Sequence, residues 1–225
     1  LKYEAAKSTS KKSSDGWSVD GALKGDTGGE FEVGLGGSFK DKDSKAVSSK
    51  AGTVSSEKDF KVRAGKDATF EGTDVKAGGK IDVEAKGDLN ILSAEDSYKE
   101  EPGVDLSGSF DMGTTKKLGS LDAEADFSYM DKKEQKSATF KSGSDTSLSA
   151  GKEITMEATK LDSEGKVDLT AKENINLKAV EDTEKSVKLG GGVEIGLKGI
   201  GTEAEAGGKY KETHQGVEIK SKSDT

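Results

Sequence analysis

The sequence predicts an all-β protein: a parallel β-helix, or β-solenoid, with coils of about 21 residues and protruding antiparallel β-hairpins. Three observations lead to this fold: a gapless internal duplication, a shorter apolar period inside each copy, and longer segments of alternating polarity between the copies. Glycine recurs every few residues, and no apolar stripe of helical period is present, so an α-helical fold is disfavoured.

The duplication joins two segments that match without a gap at an offset of 86 residues. The first, AGKDATFEGTDVKAGGKIDVEAKGDLNILSAED, begins at Ala64, and the second, AGKEITMEATKLDSEGKVDLTAKENINLKAVED, begins at Ala150. Across the wider ranges 51–97 and 137–183, about 17 of 47 positions are identical. Because similarity at a fixed spacing is the signature of repeat architectures, the chain contains duplicated structural units.

Each unit contains apolar-x-apolar triplets that return after about 21 residues, as Phe60-x-Val62 returns in Ile81-x-Val83. Such a triplet is typical of a short strand with one buried face, and Gly-Lys-Asp turns lie between the triplets. Coils stacked about 4.8 Å apart would align these side chains in internal columns. The predicted solenoid core is Phe60, Val62, Phe70, Val75, Ile81, Val83, Leu89, Ile91, Leu148, Ile154, Met156, Leu161, Val167, Leu169, Ile175 and Leu177.

Three longer segments alternate apolar and polar residues around a glycine-rich connection, which predicts β-hairpins. Their predicted apolar faces are Trp17, Val19, Leu23, Phe31, Val33 and Leu35 in the first, Val104, Leu106, Phe110, Leu121, Phe127 and Tyr129 in the second, and Leu189, Val193, Ile195 and Tyr210 in the third. Hairpins separated by about two coils would emerge roughly 10 Å apart, the face-to-face distance of packed sheets. We therefore expect the hairpins to stack on one another along one side of the solenoid. Runs of this length also fit strands that cross a membrane, an alternative that the sequence leaves open.

These patterns divide the chain into seven parts. They are a partial coil or connection at 1–16, a hairpin at 17–45, a first solenoid unit at 46–98, a hairpin at 99–136, a second solenoid unit at 137–185, a hairpin at 186–214, and the start of another coil at 215–225.

Composition and charge exclude several functional classes. The 225 residues include no cysteine, which fits a chain exported through an oxidising compartment. Arg63 is the single arginine among 35 basic residues, and acidic and basic residues are interspersed, so no nucleic-acid partner is predicted. His214 is the only histidine, and carboxylate pairs such as Glu95-Asp96 and Glu181-Asp182 are interpreted as solvated turn charges. No catalytic residue, cofactor site or metal ligand is predicted. A polysaccharide lyase is disfavoured by the scarcity of arginine and histidine.

The AGKD turns, the GKIDV triplet and the closing AED resemble the haemagglutinin repeats of filamentous haemagglutinin-like exoproteins of two-partner secretion systems, over 51–97 and 137–183. The hairpins at 17–39, 103–136 and 187–210 resemble the interruptions in the second repeat region of contact-dependent growth inhibition effectors. The resemblance implies a right-handed parallel β-helix, export through a dedicated outer-membrane transporter, and a secreted, outer-membrane-associated location at the bacterial surface.

The resemblance leaves two functions open. In the first, the chain is a scaffold and delivery region that engages the outer membrane or a surface receptor of a target cell and assists toxin entry. In the second, it is the passive shaft of a filamentous adhesin. In both cases it is expected to stack on neighbouring repeats of the same parent chain.

Overall fold

The computed structural model describes residues 1–25, 31–113, 119–196 and 199–222. All secondary-structure elements within these residues are β-strands. In chain order the strands are β1 (Lys2–Tyr3), β2 (Ala6–Gly25), β3 (Phe31–Lys50), β4 (Gly52–Ser56), β5 (Phe60–Ala64), β6 (Ala68–Glu71), β7 (Thr73–Ala77), β8 (Ile81–Ala85), β9 (Leu89–Leu92), β10 (Ala94–Gly113), β11 (Ser120–Lys136), β12 (Thr139–Ser142), β13 (Thr146–Ala150), β14 (Ile154–Glu157), β15 (Lys160–Ser163), β16 (Val167–Ala171), β17 (Ile175–Lys178), β18 (Val180–Gly196), β19 (Gly199–Gln215) and β20 (Glu218–Ser221). They form three parallel sheets of short strands and one antiparallel sheet of long strands.

The short strands visit the three parallel sheets in a fixed rotation. β4, β5 and β6 belong to three different sheets, and β7, β8 and β9 pair with them in the same order. The rotation repeats with β12, β13 and β14, and again with β15, β16 and β17. Strands three steps apart in the rotation therefore stack in parallel, as in a parallel β-helix.

The register of this stacking places apolar side chains in columns. Phe60 pairs with Ile81 and Val62 with Val83, so equivalent positions of successive coils contact each other. A further column contains Tyr3, Phe70, Ile91, Met156 and Leu177. Eleven of the predicted core side chains are buried: Val62, Phe70, Val75, Ile81, Val83, Leu89, Ile91, Leu148, Ile154, Met156 and Leu161.

The predicted core does not extend to its last two members. Ile175 and Leu177 are 42% and 52% exposed, so the prediction that they lie in the core was wrong. The reason is that β17 is the outermost strand of its sheet within the described residues, and no further coil covers it. Phe60, Val167 and Leu169 lie on other outer strands and are only partly buried against the core.

Several buried side chains were missed from the sequence. Phe140 is fully buried, pairs with Val75 and Leu161, and meets Phe70 edge to face at 5.3 Å between ring centroids. Alanine, serine and threonine fill narrower parts of the interior: Ala64, Ala68, Ala77, Ala85, Ala138, Ala150, Thr73, Ser142, Thr146, Thr159 and Ser163. The small polar groups are tolerated because they bond to one another, as Ser142 does with Thr146 at 2.8 Å and with Ser163 at 2.9 Å.

Hydrogen bonds to aspartate side chains in the turns link successive coils. The carboxylate of Asp67 accepts a hydrogen bond from the backbone N–H of Asp88 at 2.9 Å, one coil further on. Asp59 accepts one from the N–H of Lys80 at 3.0 Å, and this bond holds the pKa of the Asp59 carboxyl below its usual value. A Cβ at Gly87 would overlap Asp67 Oδ1, so a side chain at this position would displace the carboxylate from its bond to Asp88.

The corner that follows β6, β9, β14 and β17 has two alternating forms. After β6 and β14 the chain turns through one left-handed residue, Gly72 with φ of 50° and Ala158 with φ of 43°. After β1, β9 and β17, the long antiparallel strands begin at the same corner. A pair of long strands therefore leaves the solenoid at every second coil.

The long strands form one six-stranded antiparallel sheet of order β19-β18-β11-β10-β3-β2, which we call the antiparallel sheet. β3 pairs with β10 and β11 with β18, so neighbouring strand pairs join edge to edge. The prediction that they stack face to face was wrong. Two strands are about 9.6 Å wide and two coils rise about 9.6 Å, so successive pairs reach hydrogen-bonding distance along their edges. The connections at 26–30, 114–118 and 197–198 lie outside the described residues.

The antiparallel strands are longer than the alternating runs that predicted them. β2 begins at Ala6, within the predicted connection 1–16, and β3 continues to Lys50, past the predicted boundary at 45. β10 begins at Ala94 and β18 at Val180, inside the predicted solenoid units 46–98 and 137–185. The ends of these strands nearest the solenoid, which we call the base of the antiparallel sheet, are polar on both faces. They therefore have no alternation of apolar and polar residues that the sequence could reveal.

Candidate interaction surface on the antiparallel sheet

One face of the antiparallel sheet is apolar over its outer half. Residues directly opposite each other on paired strands share a face, so the register defines the rows that cross the sheet. Six rows carry the apolar side chains: Leu23, Val33 and Met112; Leu35, Phe110, Leu121, Ile195 and Ile200; Val19, Ala123 and Val193; Trp17, Phe39, Leu106, Ala125 and Ala204; Val104, Phe127, Leu189 and Ala206; Tyr129 and Val187. We call this set the apolar face.

The apolar face is uncovered in the described residues. Trp17 is 78% exposed and Leu23 72%, both on the edge strand β2. Even the central Leu106 is 42% exposed. Large contiguous apolar patches are rare on monomeric proteins and mark interaction sites.

Most predicted members of the hairpin faces lie in these rows. Tyr210 is an exception: it pairs with Lys185, nearer the solenoid, and its ring lies 5.5 Å from the Lys185 ammonium. Phe31 pairs with Gly25 at the far end of β3, and its side chain is outside the described part of the chain. The apolar face therefore ends near Val187, and the base of the sheet is charged.

The opposite face of the outer half is acidic. Its carboxylates are Asp20, Glu32, Asp105, Asp111, Asp122, Glu124, Asp126, Glu194, Glu203 and Glu205. Lys24, Lys40 and Lys188 lie on the same side, and Lys40 forms an ion pair with Asp105 at 2.7 Å. The antiparallel sheet thus presents an apolar surface on one side and a net negative surface on the other.

At the base, aspartates join neighbouring strand pairs. The carboxylate of Asp96 on β10 accepts the backbone N–H of Ser49 on β3 at 2.5 Å and pairs with Lys136 at 2.7 Å. Asp182 repeats the arrangement one unit later and accepts the N–H of Gln135 on β11 at 2.6 Å. Burial raises the pKa of Asp96, but the bonds from Lys136 and Ser49 outweigh it and hold the pKa below its usual value.

These aspartates end the AED and VED motifs, which the sequence had suggested were solvated turn charges. That interpretation was wrong for Asp96 and Asp182, because each binds a backbone amide across the seam between two strand pairs. The sequence contains one signal of this role. Asp96 and Asp182 lie 86 residues apart, so both copies of the duplication have a carboxylate at the same position. The side chains of Glu95 and Glu181, by contrast, are 42% and 58% exposed.

Glu100 forms a second polar cluster where β10 bulges between Glu100 and Gly103, around the single proline of the chain. Its carboxylate binds Lys42 at 2.8 Å, Ser128 at 2.8 Å and the Tyr98 hydroxyl at 3.0 Å. Desolvation raises the pKa of Glu100, and these three donors lower it further than burial raises it, so the net direction is downward. The cluster fixes the strand at the irregular step.

Glu181, Glu212 and His214 bring possible metal-ligand atoms within 4.8 Å of one another, and all three residues are exposed. His214 Nε2 lies 3.2 Å from Glu181, its partner across β18 and β19. The pairing of His214 with Glu181 could not be predicted, because cross-strand register cannot be read from one strand. Within the described residues, no helix is both long and apolar enough to cross a bilayer.

The fold defines a class of repetitive proteins in which short parallel strands stack in coils and long antiparallel strands emerge at intervals. A family model described as hemagglutinin repeat matches residues 1–104 and 119–225. This chain belongs to that hemagglutinin repeat family.

Two curated relatives are similar to the chain. A protein named hemolysin from Proteus mirabilis is 29% identical over 181 residues, which is 76% of this chain and 12% of that protein. A hemolysin from Serratia marcescens is 28% identical over 195 residues, or 81% of this chain and 12% of that protein. The chain therefore spans about an eighth of the length of these relatives.

Proposed function

We propose that this chain is a non-catalytic scaffold and delivery region of a large secreted surface exoprotein that acts in contact-dependent growth inhibition. In this role it engages the outer membrane of a target cell and assists the entry of a toxin. The observation that carries the proposal is the antiparallel sheet, which exposes an apolar face instead of burying it. A purely structural shaft has no need for such a surface.

Several further features support this assignment. The columns of the solenoid build length from few apolar residues, because each coil covers the next. The absence of cysteine suits passage of an unfolded chain through an oxidising periplasm, and we expect an outer-membrane transporter of a two-partner secretion system to export the parent protein. We also expect right-handed winding of coils of about 21 residues, since parallel crossovers are almost always right-handed.

The structure suggests a clean deletion experiment. The strand pair at 94–136 can be replaced by a one-residue left-handed corner like that at Gly72, which connects the same two sheets without long strands. In the parent protein, removal of all three strand pairs in this way should abolish toxin delivery while surface display and length persist. Delivery at the original level after this deletion would refute the proposal.

The alternative is the passive shaft of a filamentous adhesin, which is favoured by the uninterrupted columns of the solenoid. Under that hypothesis the same deletion leaves adhesion intact. Binding to host or target cells, measured beside delivery in one experiment, separates the two functions.

A further inference from the structure

The apolar face is large enough to need a partner in water. The apolar face contains 22 apolar residues, and each covers about 4.8 by 6.8 Å of sheet, so together they occupy roughly 700 Å². The largest apolar patch on a typical monomer is about 300–600 Å². Two such faces in contact would bury about 1,400 Å², which lies within the roughly 1,200–2,000 Å² of a stable interface.

The surface shape of the apolar face is complementary to that of a second β-sheet. The row of Leu35 and Phe110 is bulky, and the next row toward the base contains Gly37 and Gly108 at the same strands. On β3 and β10 these glycines therefore form a groove between this row and the bulky row of Phe39 and Leu106. Two sheets packed about 10 Å apart can interdigitate such rows, as the inner faces of β-sandwiches do. We propose that two copies of this chain pack apolar face against apolar face and form a β-sandwich.

Charge favours a second copy over an anionic lipid surface. The acidic face of the sheet is repelled by anionic lipid within a Debye length. In the sandwich, both acidic faces remain in water.

This inference goes beyond the proposed function, because it concerns the chain in water with no target cell present. The two can fail separately. A dimer can exist in a protein that delivers nothing, and delivery can proceed from a monomer.

The first test compares neighbouring substitutions on opposite faces of β10. Sedimentation of the chain should show a dimer at micromolar concentration. Leu106→Glu places a charge in the interface and should weaken dimerisation at least about tenfold. Ser107→Glu adds the same charge to the acidic face and should change the dissociation constant less than about twofold. Equal weakening by both variants would assign the dimer to another surface and overturn the proposal.

Trp17, the single tryptophan, reports on the same contact without any substitution. It lies on the apolar face and is exposed in one copy, so its emission should shift to the red when the dimer is diluted below its dissociation constant. Emission that is already that of an exposed indole at every concentration would refute the contact.

Cross-linking keeps the proposal testable if Leu106→Glu does not fold. The chain has no cysteine, so Ala125→Cys and Glu124→Cys each introduce a single thiol, near the middle of the apolar face and on the acidic face respectively. A bismaleimide of about 10 Å should join two copies of the first variant and not the second. A monomeric chain that instead floats with anionic phospholipid vesicles would assign the face to lipid, and a chain that does neither would overturn the proposal.

Discussion

Removal of the Asp96 carboxylate should open the seam between β3 and β10. The carboxylate binds the Ser49 N–H and Lys136, and Ser49 is almost completely buried. Hydrogen bonds to charged groups contribute about 1.5–3 kcal/mol, and a buried N–H left without an acceptor costs about 1–3 kcal/mol. Discounting for the partly exposed Lys136, we expect Asp96→Ala to destabilise the seam by about 2–3 kcal/mol.

Hydrogen exchange measures this effect where it occurs. A loss of about 2–3 kcal/mol corresponds to exchange about 30- to 150-fold faster at the amides that join β3 to β10. The matched control is Glu95→Ala at the adjacent position. Glu95 binds the Gln135 side chain at 3.1 Å but its own side chain is 42% exposed, so its loss should cost less than about 1 kcal/mol. Unchanged exchange in Asp96→Ala, or an equal effect of both substitutions, would refute the role assigned to Asp96.

Three further predictions concern packing, backbone strain and pH. Ile154→Ala should destabilise the chain by about 2–4 kcal/mol in urea unfolding, whereas Ile175→Ala, one coil away in the same column, should cost under about 1 kcal/mol because Ile175 is half exposed. Gly72→Ala should cost about 1–3 kcal/mol, because φ is 50° and the new Cβ would press on a neighbouring Cβ. The pKa of Glu100 is lower in the folded chain than in the unfolded chain, so its contribution is present above about pH 4.3 and is lost as pH falls through the folded pKa. Acid titration of Glu100→Gln against wild type should show a smaller loss in the variant.

Apolar-x-apolar triplets predicted the solenoid strands because a buried face leaves a period-2 pattern in the sequence. Ile81, Val83, Leu148 and Ile154 are fully buried for this reason. Thr146 occupies the column of Ile81 and could not be predicted in this way, since its hydroxyl is satisfied only by residues of neighbouring strands. The sequence pattern identifies inward positions that hold apolar side chains. It misses inward positions whose polar side chains are buried in a hydrogen-bond network.

The joining of the strand pairs was harder to predict, because two arrangements share nearly the same spacing. Sheets pack face to face at about 10 Å, and two hydrogen-bonded strands are about 9.6 Å wide. The choice depends on direction: β10 lies beside β3 along the axis on which the coils stack, so backbone groups meet before side-chain faces can. The aspartates at the base then satisfy buried amides at each junction, a bond invisible in a single strand.

The same arithmetic explains why a strand pair leaves at every second coil. One pair per coil would need about 9.6 Å of sheet for every 4.8 Å of rise, and one pair per three coils would leave a gap one strand wide. An extra coil should therefore break one seam only. A second copy of residues 52–72, which runs from the start of β4 through the Gly72 corner, adds such a coil between the first and second strand pairs. Amides between β3 and β10 should lose protection from exchange, while those between β11 and β18 stay protected as the internal control. Retained protection at β3 and β10 would show that coil rise does not set the pairing of the sheet.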